Sequence, residues 1–330
     1  MPEPKKQYSP FSTVVKRHLR TSVRYLTITK ICNILLSLWE KQTGAVKVRS
    51  KPYFIKIEPT SRCNLSCPGC LHAVGLRDQL DPRLIGDMDF DIFSGIIKDL
   101  KKYLVKVSMY IVGEPLIYPR IGEMIKHLSD NRIASAISSN LYFVSPELAA
   151  ELVRNKLTHL IVSLDGYDQK SYARYRIGGR FATVINNIKL IQAEKKKQRS
   201  KYPLLEIQTI KLDYLRAAEI EKIKALAREL GADKFTLKEN VAPYYYHPEP
   251  VASRCYWLYG NPQIHWDGIL QPCCNFYEDK DNNFGDLHSE KISKIYNNKK
   301  YLAARKFFKS GVKGKEPLRC YHCNFFKPKI

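Results

Sequence analysis

Nine cysteines in a chain of 330 residues are grouped rather than scattered. Cys63, Cys67 and Cys70 form a C-x3-C-x2-C run, Cys273 and Cys274 are adjacent, and Cys320 and Cys323 form a C-x2-C pair, while Cys255 and Cys32 stand apart. Thiols grouped this way in a reducing compartment bind metal or do redox chemistry. Their odd number, with no signal peptide in view, argues against a framework of structural disulfides. Three thiolates on a short loop can hold three corners of a 4Fe-4S cube and leave the fourth iron open to another ligand. Zinc, with His72 as a fourth ligand, is the other metal that suits this trio. Near the C-terminus, a C-x2-C pair and two remote cysteines supply four thiols, enough to close a second site around iron–sulfur or around tetrahedral zinc. Cys32 reads most simply as a buried helix residue.

Something must position these loops. From Tyr53 onward, short apolar runs alternate with amphipathic stretches. The pattern predicts strands at Tyr53–Glu58, Val105–Ile111, Ile133–Ser138, His159–Ser163, Leu204–Ile210 and Lys234–Leu237. Helices are predicted at Asp89–Tyr103, Ile121–Asp130, Pro146–Asn155, Phe181–Lys197 and Arg216–Leu230, with Gly231 at a helix C-cap. Six alternating units imply an α/β fold with parallel strands, a partial (β/α)6 barrel whose chemistry lies at the C-terminal ends of the strands. Asp267-Gly268, between apolar and aromatic runs, signals a hairpin that would bring Cys255 and Cys273 to the same end. Three regions follow: a basic helical N-terminal arm over 1–52, the barrel over 53–240, and a small cysteine-rich α+β unit over 241–330.

Composition excludes several classes. At 44% hydrophobic and 26% charged residues, the chain is neither disordered nor collagen-like. No run of eighteen apolar residues is present; the best stretch, Ile31 to Trp39, is interrupted by Asn33 and Ser37. It also lies too far from Met1 to be the apolar part of a signal peptide. The net charge of +23 sits at the ends: residues 1–52 carry 11 Lys/Arg against 2 Asp/Glu, and residues 291–330 carry 12 against 1. Such ends are a solvated surface, or they meet anionic lipid, nucleic acid or an acidic partner. In the arm, Phe11, Val14, Val15, Leu19, Val23 and Leu26, then Ile28, Ile31, Leu35 and Leu38, follow helical spacing. The simpler expectation is a helix packed on the barrel; the sharper one is a membrane-surface contact.

C-x3-C-x2-C after the first strand of a partial barrel resembles the radical S-adenosylmethionine (radical SAM) superfamily. Val112-Gly113-Glu114-Pro115, ending the second strand, is similar to that family's Gly-Gly-Glu-Pro motif, which binds the methionine amino group of the cofactor. Ser138, Ser139 and Asn140 end the third strand and Ser163-Leu164-Asp165-Gly166 the fourth; Ser138, Asn140, Ser163 and Asp165 resemble positions that bond the ribose or the methionine carboxylate. Arg176 resembles an arginine that pairs with that carboxylate. Two positions depart from the family pattern: Gly69 replaces the usual aromatic before the last cysteine, and Val112 replaces the first glycine. The C-terminal cysteines resemble the SPASM/Twitch extension, in its shorter form with one auxiliary 4Fe-4S cluster. The ligands implied are Cys255, Cys273, Cys320 and Cys323, with Cys274 the other candidate for the place after the hairpin. Gly285-Asp286-Leu287, Ile292 to Tyr296 and Arg305 resemble its linking segment.

The resemblance implies an enzyme with two 4Fe-4S clusters and S-adenosyl-L-methionine as cofactors. It would cleave that cofactor reductively to a 5′-deoxyadenosyl radical and take a hydrogen atom from a substrate. An auxiliary cluster as electron acceptor favours net oxidation of a small polar molecule such as a sugar, cyclitol or amino acid derivative. An external one-electron reductant, flavodoxin or ferredoxin, would accompany it. A base is expected on Tyr244–His247 or at a strand end such as Glu239; spacing singles out none. Peptide maturation and lipid modification are the alternative enzyme readings, and a nucleic-acid-binding iron–sulfur or zinc protein is the non-enzyme one, though no RNA-binding motif supports it. A cytoplasmic location is implied, with the basic ends suited to a peripheral membrane or anionic partner.

Overall fold

Each predicted strand forms, and each is followed by the helix or loop that the pattern requires. The computed structural model describes residues 21–70, 72, 85–239, 251–273, 282–323 and 325–328. Strands β1 (Phe54–Ile57), β2 (Lys106–Met109), β3 (Ala134–Ser139), β4 (His159–Ser163), β5 (Leu204–Lys211) and β6 (Lys234–Glu239) lie side by side in that order. All five pairings are parallel, with Ile55 opposite Val107, Ile137 opposite Leu160 and Ile207 opposite Phe235. Parallel strands need crossovers long enough to hold a helix, and these occupy one side of the sheet. In chain order the helices are α1 (Ile28–Thr43), α2 (Phe90–Leu100), α3 (Ile121–Asp130), α4 (Pro146–Arg154), α5 (Gln169–Ala173), α6 (Phe181–Lys197) and α7 (Ala217–Glu229). Their starts are capped as expected: Ser145 Oγ accepts from Leu148 N with Pro146 at the first position, and Asp89 accepts from Asp91 N. Gly231, in the left-handed region at φ +70°, turns the chain out of α7 into β6.

Alternation along the strands separates two faces. Ile55, Ile57, Val107, Met109, Ile137, Leu160, Val162, Leu205 and Ile207 join the buried cluster with Phe93, Ile97, Ile125, Leu152, Ile188 and Ile223 from the helices. That interface is the core. The sheet does not close on itself, since β6 ends one edge, and the fold is a partial (β/α)6 barrel.

The free edge of β1 is covered by the C-terminal part. Strand β8 (Gln263–Ile264) pairs with β1 in parallel, Lys56 opposite Gln263, and turns at Asp267-Gly268 into β9 (Ile269–Gln271). Gly268 takes φ +77°, and β10 (Gly285–Asp286) continues the sheet beyond β9. A separate parallel pair joins β7 (Val251–Ala252) to β11 (Phe326–Lys327). Two short helices, α8 (Ile292–Ile295) and α9 (Lys299–Ser310), pack beside them.

Residues 1–20 of the arm lie outside the described residues. The expected helix over Ile28–Leu38 is present as α1 and packs on the barrel, but with the opposite face. Lys30, Asn33, Ser37 and Glu40 are buried, while Ile28, Ile31, Leu35 and Leu38 are exposed. The reason is the surface that it meets. α1 crosses the N-terminal end of the strands, where backbone groups need partners. Lys30 Nζ donates to the Arg132 carbonyl at 2.8 Å, and the Asn33 side chain bonds both Lys51 N and Lys51 O. The Glu40 carboxylate accepts from Arg49 N, Ser50 N and Ser50 Oγ, and Ser37 donates to the Tyr259 carbonyl. Cys32, expected in the interior, is exposed on the same outer face.

Candidate functional site

β1 hands the chain to the cysteine loop. Glu58 closes the strand, fully buried, its carboxylate accepting from Val112 N at 3.1 Å and lying 3.3 Å from His265 Nδ1. The loop is then pinned from outside: Ser61 N donates to the Gly86 carbonyl, and Ser66 N to the Ile177 carbonyl. Cys70 N donates to the Cys67 carbonyl across a turn that Gly69 completes at φ +74°. Cys67 is buried, and Cys63 and Cys70 are half-buried. Cys63 feels the charge of Cys67 and Cys70, and Cys67 feels that of Cys70. Burial pushes Cys63 up to about 12, reinforced by Glu114, Cys70 and Cys67; burial raises Cys67 as well, with the Arg176 guanidinium opposing it.

The second motif packs directly on this loop. Gly113 is obligatory, because a side-chain carbon there would overlap the Thr60 carbonyl and crowd that of Arg62. Glu114 N donates to the Arg62 carbonyl at 2.7 Å. The buried Glu114 side chain then ties strand ends together. One oxygen accepts from Leu116 N and Ser139 Oγ, the other from Asn140 N at 2.7 Å. Burial raises this carboxyl, and those hydrogen bonds oppose the rise. Pro115 opens a short 3-10 turn and is buried. Asn140 Nδ2 donates to Asn64 Oδ1 at 2.9 Å and stands 4.0 Å from Cys63 Sγ. The pleat puts Ser139 on Glu114 and leaves Ser138 half-buried on the opposite face; Ser163 is half-buried at the end of β4.

Asp165 and Arg176 complete the rim. Arg176 Nε and Nη2 both reach Asp165 Oδ2, at 2.6 and 2.5 Å, and Nη1 lies 3.6 Å from Cys67 Sγ. Asp165 Oδ1 accepts from Ile210 N. The aspartate is thus occupied in aiming the arginine at the cysteine loop. Sequence reasoning placed Asp165 against a ligand and did not anticipate this pair. It also passed over Asn64, which stands between the cysteines and bonds Asn140. Glu239, at the end of β6, is exposed and 3.4 Å from Lys211 Nζ; Tyr244–His247 lie outside the described residues.

The second thiol set is enclosed. Cys255, Cys273, Cys320 and Cys323 line one cavity of about 20 Å³ with Trp257, Leu258, Pro272, Phe308 and Phe326. The hairpin does bring Cys255 and Cys273 together. Cys323 Sγ accepts from Phe325 N and Phe326 N, both at 3.4 Å. Burial, then the neighbouring Cys323, pushes Cys255 up to about 12, and burial with Cys255 and Cys323 raises Cys320 well above the usual thiol range. Cys274 lies outside the described residues. Behind the cavity Arg305, fully buried, donates from Nε and Nη2 to the Leu258 carbonyl and from Nη1 to Asn297 Oδ1, among the rings of Tyr259, Tyr296 and Tyr301.

Both donor sets suit iron–sulfur clusters. Thiolates packed this closely repel one another, and a multi-iron cation offsets that repulsion. Backbone N–H groups aimed at Cys323 sulfur are the hydrogen bonds that hold and tune cluster thiolates.

Comparison with known proteins agrees with this geometry. The family model of the radical SAM superfamily matches residues 57–210, and that of an iron–sulfur cluster-binding domain, SPASM, matches residues 255–324. A segment of 114 residues is 30% identical to the tungsten-containing aldehyde ferredoxin oxidoreductase cofactor-modifying protein of Pyrococcus furiosus, covering 34% of this chain and 30% of that one. Another of 142 residues is 27% identical to the mycofactocin maturase MftC of Mycobacterium ulcerans, covering 43% and 37%. The chain thus spans well under half the length of either relative. In fold it is similar to SuiB of Streptococcus suis, solved with S-adenosylmethionine bound, at a TM-score of 0.63 and 16% identity over 92% of this chain and 75% of that one.

Proposed function

The chain belongs to the radical SAM superfamily and carries a SPASM-type iron–sulfur cluster domain, and on that premise we propose that it oxidises a small polar substrate such as a sugar, cyclitol or amino acid derivative. Its cofactors are 4Fe-4S clusters and S-adenosylmethionine. When bound, they supply one-electron cleavage of the sulfonium, abstraction of a hydrogen atom, and a sink for the electron that the substrate then loses. The remaining tasks fall to the chain. Cys63, Cys67 and Cys70 hold the first cluster on a half-exposed loop and leave one iron for the cofactor. Gly113, Glu114, Pro115, Ser138, Asn140, Ser163, Asp165 and Arg176 form the cofactor rim. Glu114 and Asp165 act there by fixing Asn140 and Arg176 as much as by direct contact. Cys255, Cys273, Cys320 and Cys323 hold the second cluster. Residues 1–52, 53–240 and 241–330 form arm, barrel and auxiliary-cluster unit.

The observation that carries the substrate class is the inner face of the sheet. Residues alternating with the core positions are largely polar: Ser108 on β2, Ser138 on β3, Ser163 on β4, Gln208 on β5 and Thr236 on β6. Ser163 is opposite Gln208, and Gln208 opposite Thr236, so hydroxyls and amides form one rung below the site. Such a lining favours a substrate rich in hydroxyl or amino groups. The second thiol set, walled among the described residues by Trp257, Leu258, Pro272, Phe308 and Phe326, fits an electron acceptor. A flavodoxin- or ferredoxin-type donor would deliver the starting electron.

A second reading, maturation of a peptide, draws on the relative named a maturase. One experiment separates the two. Anaerobically reconstituted protein is given S-adenosylmethionine, a reductant and substrates deuterated at carbinol or amine-bearing carbons. Deuterium in 5′-deoxyadenosine with small polyols or amino sugars supports oxidation of a small molecule. Transfer only from peptides overturns it in favour of the maturase reading.

A further inference from the structure

Helix α1 presents an apolar face to solvent. Ile28 is 81% exposed, Trp39 62%, Leu35 60%, Ile31 43% and Leu38 37%. At 100° per residue these five fall within one arc, and Cys32 lies among them. No charge interrupts the arc: Lys30 and Glu40 point into the barrel, and Lys41 is half-buried at the margin. An exposed apolar stripe on a helix held rigidly by its polar face is an interaction surface.

The surroundings say what it meets. α1 lies across the N-terminal end of the strands, and the segments entering those strands bring Arg49, Lys102, Arg132, Lys156, Arg199 and Lys201 to the same end, all exposed. Asp130 and Asp233 of this end are ion-paired with Lys126 and Lys195. A charge-free apolar ridge bordered by cations matches an anionic bilayer surface, where the ridge enters the acyl boundary and the cations meet headgroup phosphates. A polyanion such as RNA would use the cations but leave the ridge in water.

We propose that α1 docks the chain on anionic lipid, with Ile28, Ile31, Leu35, Leu38 and Trp39 inserted and the basic rim on the headgroups. The cysteine loop and the rim built on Glu114 and Asp165 lie at the opposite end of the strands. Docked this way, and given the function proposed above, the site opens toward water and takes a dissolved substrate rather than a bilayer lipid.

The test is sedimentation of the full chain with vesicles of phosphatidylcholine alone, or of phosphatidylcholine mixed with phosphatidylglycerol. Binding to the mixed vesicles only, weakening as salt rises, is expected. Leu35→Glu and Trp39→Glu should each weaken it by roughly tenfold or more, since each places a charge in the apolar boundary. Cofactor cleavage in vesicle-free solution should stay unchanged in both, because neither residue touches the site. Binding that Leu35→Glu leaves intact would show that the cations alone suffice, and would overturn the proposal. So would the absence of vesicle binding, whether the chain is a dimer that Leu35→Glu disperses or a monomer whose residues 1–20 protect Trp39 from a quencher.

Discussion

Nη1 of Arg176 lies 3.6 Å from Sγ of Cys67. Arg176 stands 109 positions from Cys67 in the sequence, and its charge opposes the rise that burial imposes on that thiol. It also shares the rim proposed for the cofactor, so one residue couples cluster electrostatics to cofactor orientation.

Asp165 is what holds that arginine. Asp165→Asn leaves the guanidinium, 14% exposed, without its ion-pair partner. The variant should lose roughly 3 kcal/mol or more of stability in urea denaturation. Asp165→Asn combined with Arg176→Met should lose less than the two singles together, because the pair is then removed as a unit. Strict additivity would mean that the contact contributes no coupling.

Gly113 is a steric requirement. Gly113→Ala drives a methyl group into the Thr60 carbonyl and separates the Glu114 motif from the cysteine loop. Formation of 5′-deoxyadenosine should fall at least about a hundredfold, equivalent to roughly 2.7 kcal/mol of misplacement at the site. Iron content at the C-terminal thiols should be retained, and assay of both on one preparation checks this.

Arg305 braces the second thiol set from behind. Arg305→Lys keeps the charge but loses the fork that bonds the Leu258 carbonyl and Asn297 together. Reconstituted iron should drop from about eight per chain toward about four, with the first cluster's spectrum unchanged. An unchanged count would show that the tyrosine cage and cysteine ligation suffice without it.

Lys30 gives a pH signature. Burial, with Arg132 contributing, brings its ammonium down to about 8 from the usual 10.5. Between those values the unfolded chain holds a proton that the folded chain has released, so stability rises with pH across that window. Lys30→Met should abolish that part of the rise in denaturant midpoints. An equal slope in the variant would contradict the assignment.

Much of this was legible in the sequence, and for identifiable reasons. Cysteine spacing, the strand runs and Val112-Gly113-Glu114-Pro115 are local signals, and the strands carry them to one end of a parallel sheet. Helical periodicity located α1 but could not tell which face would pack; hydrogen-bonding demand at the strand ends chose Asn33, Ser37 and Glu40 over Ile31 and Leu35. β8 adds to β1 through only Gln263 and Ile264, too short a run to carry a pattern. The Asp165–Arg176–Cys67 chain joins three loops, and no spacing rule reports a contact of that kind.

The central claim is that Cys63, Cys67 and Cys70 hold the cluster that cleaves S-adenosylmethionine. The most direct measurement is 5′-deoxyadenosine formation by anaerobically reconstituted, reduced protein, comparing a triple alanine variant of these cysteines with Cys320→Ala/Cys323→Ala. Loss of the nucleoside in the first, and its persistence in the second, is the predicted result. Nucleoside formation that survives removal of the first three thiols would contradict the account.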